Sequence, residues 1–171
     1  MTISAPERVP GRLLLDDGTE YFGELQSAGI PVTGEVVFST AMAGYLETLT
    51  DPSFAGQILV NTYPLAGNYG VELPRTGPLS LPMQSSRIQV EGFVVSQVPP
   101  GHSHHAATIA FADWLRNQDV SLLTGIDTRA LTMRLREHGT MRGWIGAACL
   151  PLDEMRQKSK PLEEHRPYSA G

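Results

Sequence analysis

This sequence predicts a mixed α/β domain, layered rather than sandwiched or bundled, and three observations point to it. Apolar and β-branched runs crowd its first half, at residues 12–15, 34–39 and 57–62. Its second half carries two amphipathic helical patterns, at 108–117 and 126–139, with a short apolar run between them. Thirteen prolines and seventeen glycines among 171 residues favour many turns and ordered loops over long helices.

The first element reads as a hairpin. Arg12-Leu-Leu-Leu15 leads through Asp16-Asp17-Gly18 into residues 19–24, and Asp-Gly accepts the positive φ that a tight hairpin turn needs. Residues 34–39 and 57–62 have the makeup of buried strands. Between them, 41–49 reads as a short helix, stopped before Pro52 because the residue preceding a proline is pushed out of the helical region. Tyr63-Pro64 and Gly67-Asn-Tyr-Gly70 mark a loop, and residues 71–87, with three prolines and no period, extend it over the surface. Residues 88–95 form the next strand, in which Gly92 permits a bulge or a close backbone contact. In 108–117, Phe111, Trp114 and Leu115 share one helical face while Asp113, Arg116 and Asn117 look outward. Residues 120–123 are a short strand.

The clearest local grammar spans 126–139. Asp127 is a good N-cap, Ile126 and Leu131 occupy the two positions of a hydrophobic staple, Leu131 and Leu135 stack one turn apart, and Gly139 suits the stop. Residues 141–147 read as a final strand. Beyond Leu150 the chain turns polar, which suits either a helix with a linker or a disordered end. The expected organisation is an extension over 1–10, a domain over 11–150, and a polar tail or the start of a linker over 151–171.

A formal charge of −5 argues against a nucleic-acid partner, since such binding relies on Lys and Arg neutralising phosphates. A single cysteine, Cys149, leaves no internal disulfide framework and suits a reducing compartment. Residues 1–10 hold Glu7 and Arg8 without the apolar run of a secretory signal, and nowhere do about 18 uninterrupted apolar residues stand ready to span a bilayer. A cytoplasmic protein without a membrane partner is the expectation.

Few residues invite chemistry. Asp51-Pro52-Ser53 is a turn whose side chains bond to backbone. His102, His104 and His105 lack a Cys, Asp or Glu to complete a metal shell, so a solvated loop is preferred and no metal site is expected. The glycines of 67–70 serve backbone conformation better than a phosphate nest, since no convincing helix follows. Arg129, Arg134, Arg136 and Arg142 gather around the second helix; the plain reading is a solvated surface, the sharper one a subunit-facing ion-pair patch. Trp114 belongs to the core, while Trp144 stands between core and interface.

Several long runs in register carry a resemblance. These are Gly34-Glu-Val-Val-Phe-Ser-Thr-Ala-Met-Ala-Gly-Tyr45, Leu49-Thr-Asp-Pro-Ser53, Thr62-Tyr-Pro64 with Gly67-Asn-Tyr-Gly70, Gly92-Phe-Val-Val95, Gly125-Ile-Asp-Thr-Arg-Ala-Leu-Thr132, and Leu135-Arg-Glu-His-Gly139. Together with residues 14–22 they cover roughly 11–146, and the chain resembles the amino-terminal domain of carbamoyl-phosphate synthetase small subunits. The resemblance implies a three-layer β/β/α swivelling domain placed ahead of a class I glutamine amidotransferase domain. There a cysteine releases ammonia from L-glutamine, for use with ATP and bicarbonate by a large subunit in arginine and pyrimidine synthesis. It also implies that Ser53 reaches across a domain interface to the bound glutamine.

Cys149 does not fit the nucleophile of that chemistry, which needs a Gly-x-Cys-x-Gly elbow with a downstream His and Glu; it stands in Ala147-Ala-Cys-Leu-Pro151. Catalytic residues, cofactor-binding residues and metal ligands are therefore expected to be absent from this chain, and the amidotransferase domain to lie outside it. The chain departs from the family pattern at Ser103-His-His-Ala106, where an arginine is usual, at Gln84, where an acidic residue is usual, and at Ser96-Gln97, where a charged pair is frequent. Each change removes charge and weakens or relocates a subunit contact made there. The rival expectation is a free-standing binding or regulatory module that keeps the fold and has no activity.

Overall fold

The structure, a computed structural model, describes residues 8–26, 31–42, 44–63, 85, 87–98 and 111–158. Seven strands form one closed barrel: β1 (Val9–Leu15), β2 (Glu20–Gln26), β3 (Val32–Ser39), β4 (Gln57–Asn61), β5 (Gly92–Val94), β6 (Ser121–Thr124) and β7 (Met141–Ala147), in the spatial order β1-β2-β6-β5-β4-β3-β7. β3, β4, β5 and β6 run parallel to one another, while β7, β1 and β2 complete the circle with antiparallel pairings. The mixed α/β class expected from the sequence holds. The sheet closes on itself, because β7 bonds β1 on one side and β3 on the other.

The hairpin forms as its sequence dictates. The Gly18 N–H donates to the Leu15 carbonyl at 3.0 Å and the Leu15 N–H to the Thr19 carbonyl at 2.8 Å, which closes a three-residue loop with Gly18 at φ 89°. The helix after β3 is α1 (Tyr45–Thr50), shorter than expected, because Gly44 at φ 79° breaks any helical run arriving from residue 41. Before Pro52, Asp51 is extended (φ −75°, ψ 122°), so α1 ends there. Of the strand expected over 88–95 only Gly92–Val94 joins the sheet. Upstream, the backbone donors go elsewhere: Ile88 to the Gln118 side chain, Gln89 to the Leu49 carbonyl, Glu91 to the Gln57 carbonyl.

Two further helices fall where the periodicity places them. α2 (Phe111–Asn117) buries Phe111, Trp114 and Leu115, as expected; residues 108–110 lie outside the described ones. α3 (Thr128–His138) is capped by Asp127, whose carboxylate accepts the Ala130 N–H at 3.0 Å, and the staple residues Ile126 and Leu131 are both buried. Gly139 stops it at φ 79°.

Strand alternation divides the apolar residues between two cores. Leu13, Leu15, Val36, Ile58, Val94 and Ile145 meet inside the barrel, joined by Leu131 and Leu135 of α3. Leu59, Phe93 and Leu122 face the other side of the parallel strands, against Leu49 of α1 and Phe111, Trp114 and Leu115 of α2. Phe93 and Trp114 each pack near Phe111, with ring centroids 5.7 and 6.2 Å away. Within the polar segment after Leu150, α4 (Leu152–Lys158) buries Met155 completely, and a Cβ on Gly146 would lie 2.9 Å from its sulfur; residues 159–171 lie outside the described ones. The folded body therefore extends past residue 150. Arg12, 8% exposed, holds the intervening turn by donating to the Leu150 carbonyl while its other amino group meets Glu20 at 2.9 Å.

β3 and β4 pack so closely that a Cβ on Gly34 would overlap the Gly56 carbonyl oxygen. Gly34→Ala should lower the unfolding free energy by about 1–3 kcal/mol, measured as an earlier midpoint in urea at unchanged slope. A midpoint equal to that of the parent chain would show that the two backbones do not meet there.

Candidate functional site

Parallel strands give the barrel two chemically different ends. At the amino ends of β3 and β4 lies the turn that carries Ser53. Pro52–Phe54 forms one turn of 3₁₀ helix, begun by the Asp51 carboxylate accepting the Ser53 N–H at 2.9 Å. The turn is braced from beneath: the Gly56 N–H donates to the Gln89 carbonyl, the Ser85 hydroxyl to the Thr50 carbonyl at 2.6 Å, and Phe54 packs on the outer core. Ser53 itself is exposed, and its hydroxyl bonds to no described residue. A hydroxyl held outward on a fixed turn is free to meet a molecule arriving from solvent.

Cys149 is exposed in the turn after β7. The one imidazole among the described residues, His138, lies at the end of α3 with its Nδ1 3.1 Å from the Arg134 carbonyl oxygen. β7 separates the two, so they stand roughly 20 Å apart along the strand direction at about 3.3 Å per residue. No nucleophile–base pair forms between them. Among the described residues there is also no group of three metal-ligating side chains, and no helix is long and apolar enough to cross a membrane. The histidine tract at 102–105, the glycine loop at 67–70, Gln84 and Ser103–Ala106 lie outside the described residues.

The carboxyl ends of β4 and β5 meet α3, and a groove of about 560 Å³ opens there, lined by Thr62, Ser96, Asp127, Thr128, Arg129, Thr132, Met133 and Arg136. This is the edge of a parallel sheet at which ligands generally bind. Its floor is a set of paired hydroxyls: Thr62 with Thr132 at 2.8 Å, and Ser96 with Thr128 at 2.9 Å, Ser96 also donating to the Ile126 carbonyl at 3.1 Å. Ser96, which stands where the family often carries charge, is thus part of the joint between β5 and α3. The sequence reading missed this groove. Its one signal was Thr128 and Thr132, four apart on a helix face that also buries Leu131 and Leu135.

The four arginines gathered around α3 have different fates. Arg134 clamps Asp17 of the hairpin loop through two of its nitrogens. Arg142 donates to the Thr33 hydroxyl at 3.2 Å and lies 5.5 Å from the centroid of half-buried Trp144, whose other neighbour is Arg156 at 5.2 Å. Arg136 rests 5.4 Å from the Phe38 ring. Arg129 is exposed and bonds to no described residue.

Set beside known proteins, residues 13–145 match the family model of the carbamoyl-phosphate synthase small chain, CPSase domain. The chain belongs to that family. A carbamoyl phosphate synthase small chain from Caldanaerobacter subterraneus subsp. tengcongensis is 47% identical over 79% of this chain and 36% of its own length. One from Methanopyrus kandleri is 46% identical over 77% and 34%, and one from Pyrococcus furiosus 42% identical over 89% and 41%. This chain therefore spans about two-fifths or less of the length of these relatives. Among solved structures, an aminopeptidase from Aneurinibacillus sp. strain AM-1 covers 85% of this chain and 31% of its own at 17% identity and a TM-score of 0.43, a likeness too distant to bear on function.

The matched stretch runs from Leu13 in β1 to Ile145 in β7, so the small-chain CPSase domain here takes in the Ser53 turn, the groove and the Asp17–Arg134 clamp, but not α4. That clamp ties the hairpin loop to α3 at the groove end of the barrel. Burial alone would raise the Asp17 carboxyl, but the Thr19 N–H and the Arg134 guanidinium outweigh it and hold the group down at about 2. A carboxyl lowered on folding stabilises the fold fully above the ordinary carboxylate range and loses that contribution as pH falls from about 4 towards 2. Asp17→Asn should lower the melting temperature at neutral pH and flatten its fall between pH 4 and pH 2. Equal acid slopes in parent and variant, followed by circular dichroism, would show that the pair contributes nothing.

Proposed function

We propose that this chain is the non-catalytic amino-terminal domain of the small subunit of a glutamine-hydrolysing carbamoyl-phosphate synthase. In this reading it braces a glutamine amidotransferase domain of the same subunit, lends Ser53 to the L-glutamine site, and supports ammonia delivery to a large subunit that uses ATP. The match of residues 13–145 to the small-chain family carries the proposal, since it takes in nearly the whole barrel. A cytoplasmic heterodimer serving arginine or pyrimidine synthesis follows from the same reading. The free-standing regulatory module draws no support from the relatives, which are named as synthase small chains.

The three-layer β/β/α description is compatible with this architecture when the barrel is taken as flattened. The antiparallel strands β7, β1 and β2 make one layer, the parallel strands a second, and α1 with α2 a third. Ser53 lies where the parallel layer meets the helical one. Its braced backbone supports a positioning role, because a hydrogen bond offered from a fixed turn costs little ordering when the ligand arrives.

In an assembled synthase containing this domain, Ser53→Ala should raise the KM for glutamine about three- to tenfold, the worth of one hydrogen bond, while ammonia-dependent synthesis stays unchanged. Steady-state kinetics with each nitrogen source separates the two. An unchanged KM would remove Ser53 from the glutamine site. Failure of this domain to co-elute with the other parts of the synthase would remove the assembly itself.

A further inference from the structure

The groove beside α3 lies at the opposite end of the parallel strands from Ser53, and the glutamine reading leaves it unused. Arg129, Met133 and Arg136 fall at i, i+4 and i+7, so they form one stripe along α3, and all three line the groove. At 1.5 Å per residue the two arginines stand roughly 10 Å apart along the helix axis. Met133, between them, is 54% exposed, an unbranched thioether that adapts to whatever side chain covers it.

We propose that this groove seats an extended acidic segment of a partner protein, with two carboxylates on Arg129 and Arg136 and an apolar side chain over Met133. The charges are complementary in that sense. Arg134 and Arg142 are engaged within the fold, but Arg129 bonds to no described residue, and Arg136 contacts the Phe38 face with no hydrogen bond among the described residues. The acidic group of the wall, Asp127, already accepts the Ala130 N–H, so two guanidinium groups face one committed carboxylate. The hydroxyls of the floor satisfy one another, which leaves recognition to the arginine stripe. An extended chain turns every second side chain to the same face, so the fitting pattern is acidic–x–apolar–x–acidic, with the two carboxylates roughly 13 Å apart and the apolar side chain midway over Met133. Guanidinium forks favour carboxylates held at fixed spacing.

The chain itself, titrated with a synthetic peptide containing Glu-Ala-Leu-Ala-Glu and followed by amide NMR shifts, tests the proposal. Saturable shifts should map to α3 and to residues 61–63 and 95–97, and they should weaken as salt is added. Arg129→Glu combined with Arg136→Glu should weaken binding at least about tenfold, and Met133→Ala about threefold, whereas Arg116→Glu, a like charge change on α2, should leave it within about twofold. A peptide with both Glu replaced by Gln, or with the two Glu adjacent, should bind at least about tenfold more weakly. No saturable shift, or shifts indifferent to the double substitution in variants of unchanged circular dichroism, would overturn the proposal. So would citrate or inorganic phosphate binding as tightly as the peptide, since the groove would then be a small-anion site. None of these outcomes touches the role given to Ser53.

Discussion

Strand β7 closes the barrel, and the rest of the structure depends on that closure. It pairs with β1 through residues 143–147 and with β3 through residues 141–145, so the antiparallel hairpin and the parallel strands become one object. The strand has to be thin where its neighbours are thick. A Cβ on Gly143 would stand 2.5 Å from a Val36 methyl, and a side chain on Gly146 would displace Met155 of α4. Its large residues take the remaining positions, with Ile145 inside and Trp144 outside between two guanidinium groups. Closure also removes every sheet edge, which otherwise invites pairing between chains.

Four strands running the same way give the barrel a direction. At their carboxyl ends α3 brings hydroxyls and cations, and the hairpin loop is clipped onto it by Asp17. At their amino ends a proline-led turn and the segment after β7 present small groups on braced backbone. The first surface is therefore grooved and lined by cations, while the second presents the Ser53 turn. A domain built this way offers two separate surfaces at opposite ends of one packed barrel.

Much of this was legible in the sequence where the signal is local. The Asp16-Asp17-Gly18 turn, the Asp127 cap with its Ile126–Leu131 staple, and the buried face of Phe111, Trp114 and Leu115 each follow from a few neighbouring residues. The bounds of β7 follow too. What failed was long-range. Periodicity does not say which strand lies beside which, so closure could not be read, and residues 88–91 looked like strand although their donors turn to three separate partners. Residues 41–44 read as helix in the sequence because the left-handed backbone of Gly44 is a property of the fold. The groove was hidden for the same reason, since Thr62, Ser96 and Thr132 are far apart in sequence and meet only when β4, β5 and α3 align.

The burial of Met155 carries the folded body through α4. With that side chain sealed beneath Gly146 and Arg12 gripping the Leu150 carbonyl, the chain is held in place through α4. Any flexible tether to a downstream module then starts no earlier than about residue 158, eight residues later than the last strand and turn imply. For a flexible connection, the local concentration of the second module falls roughly as the −3/2 power of tether length once the span is bridged. A short anchored helix at this position would therefore shorten any such leash, and its melting would dilute a module so attached without breaking a single contact between them.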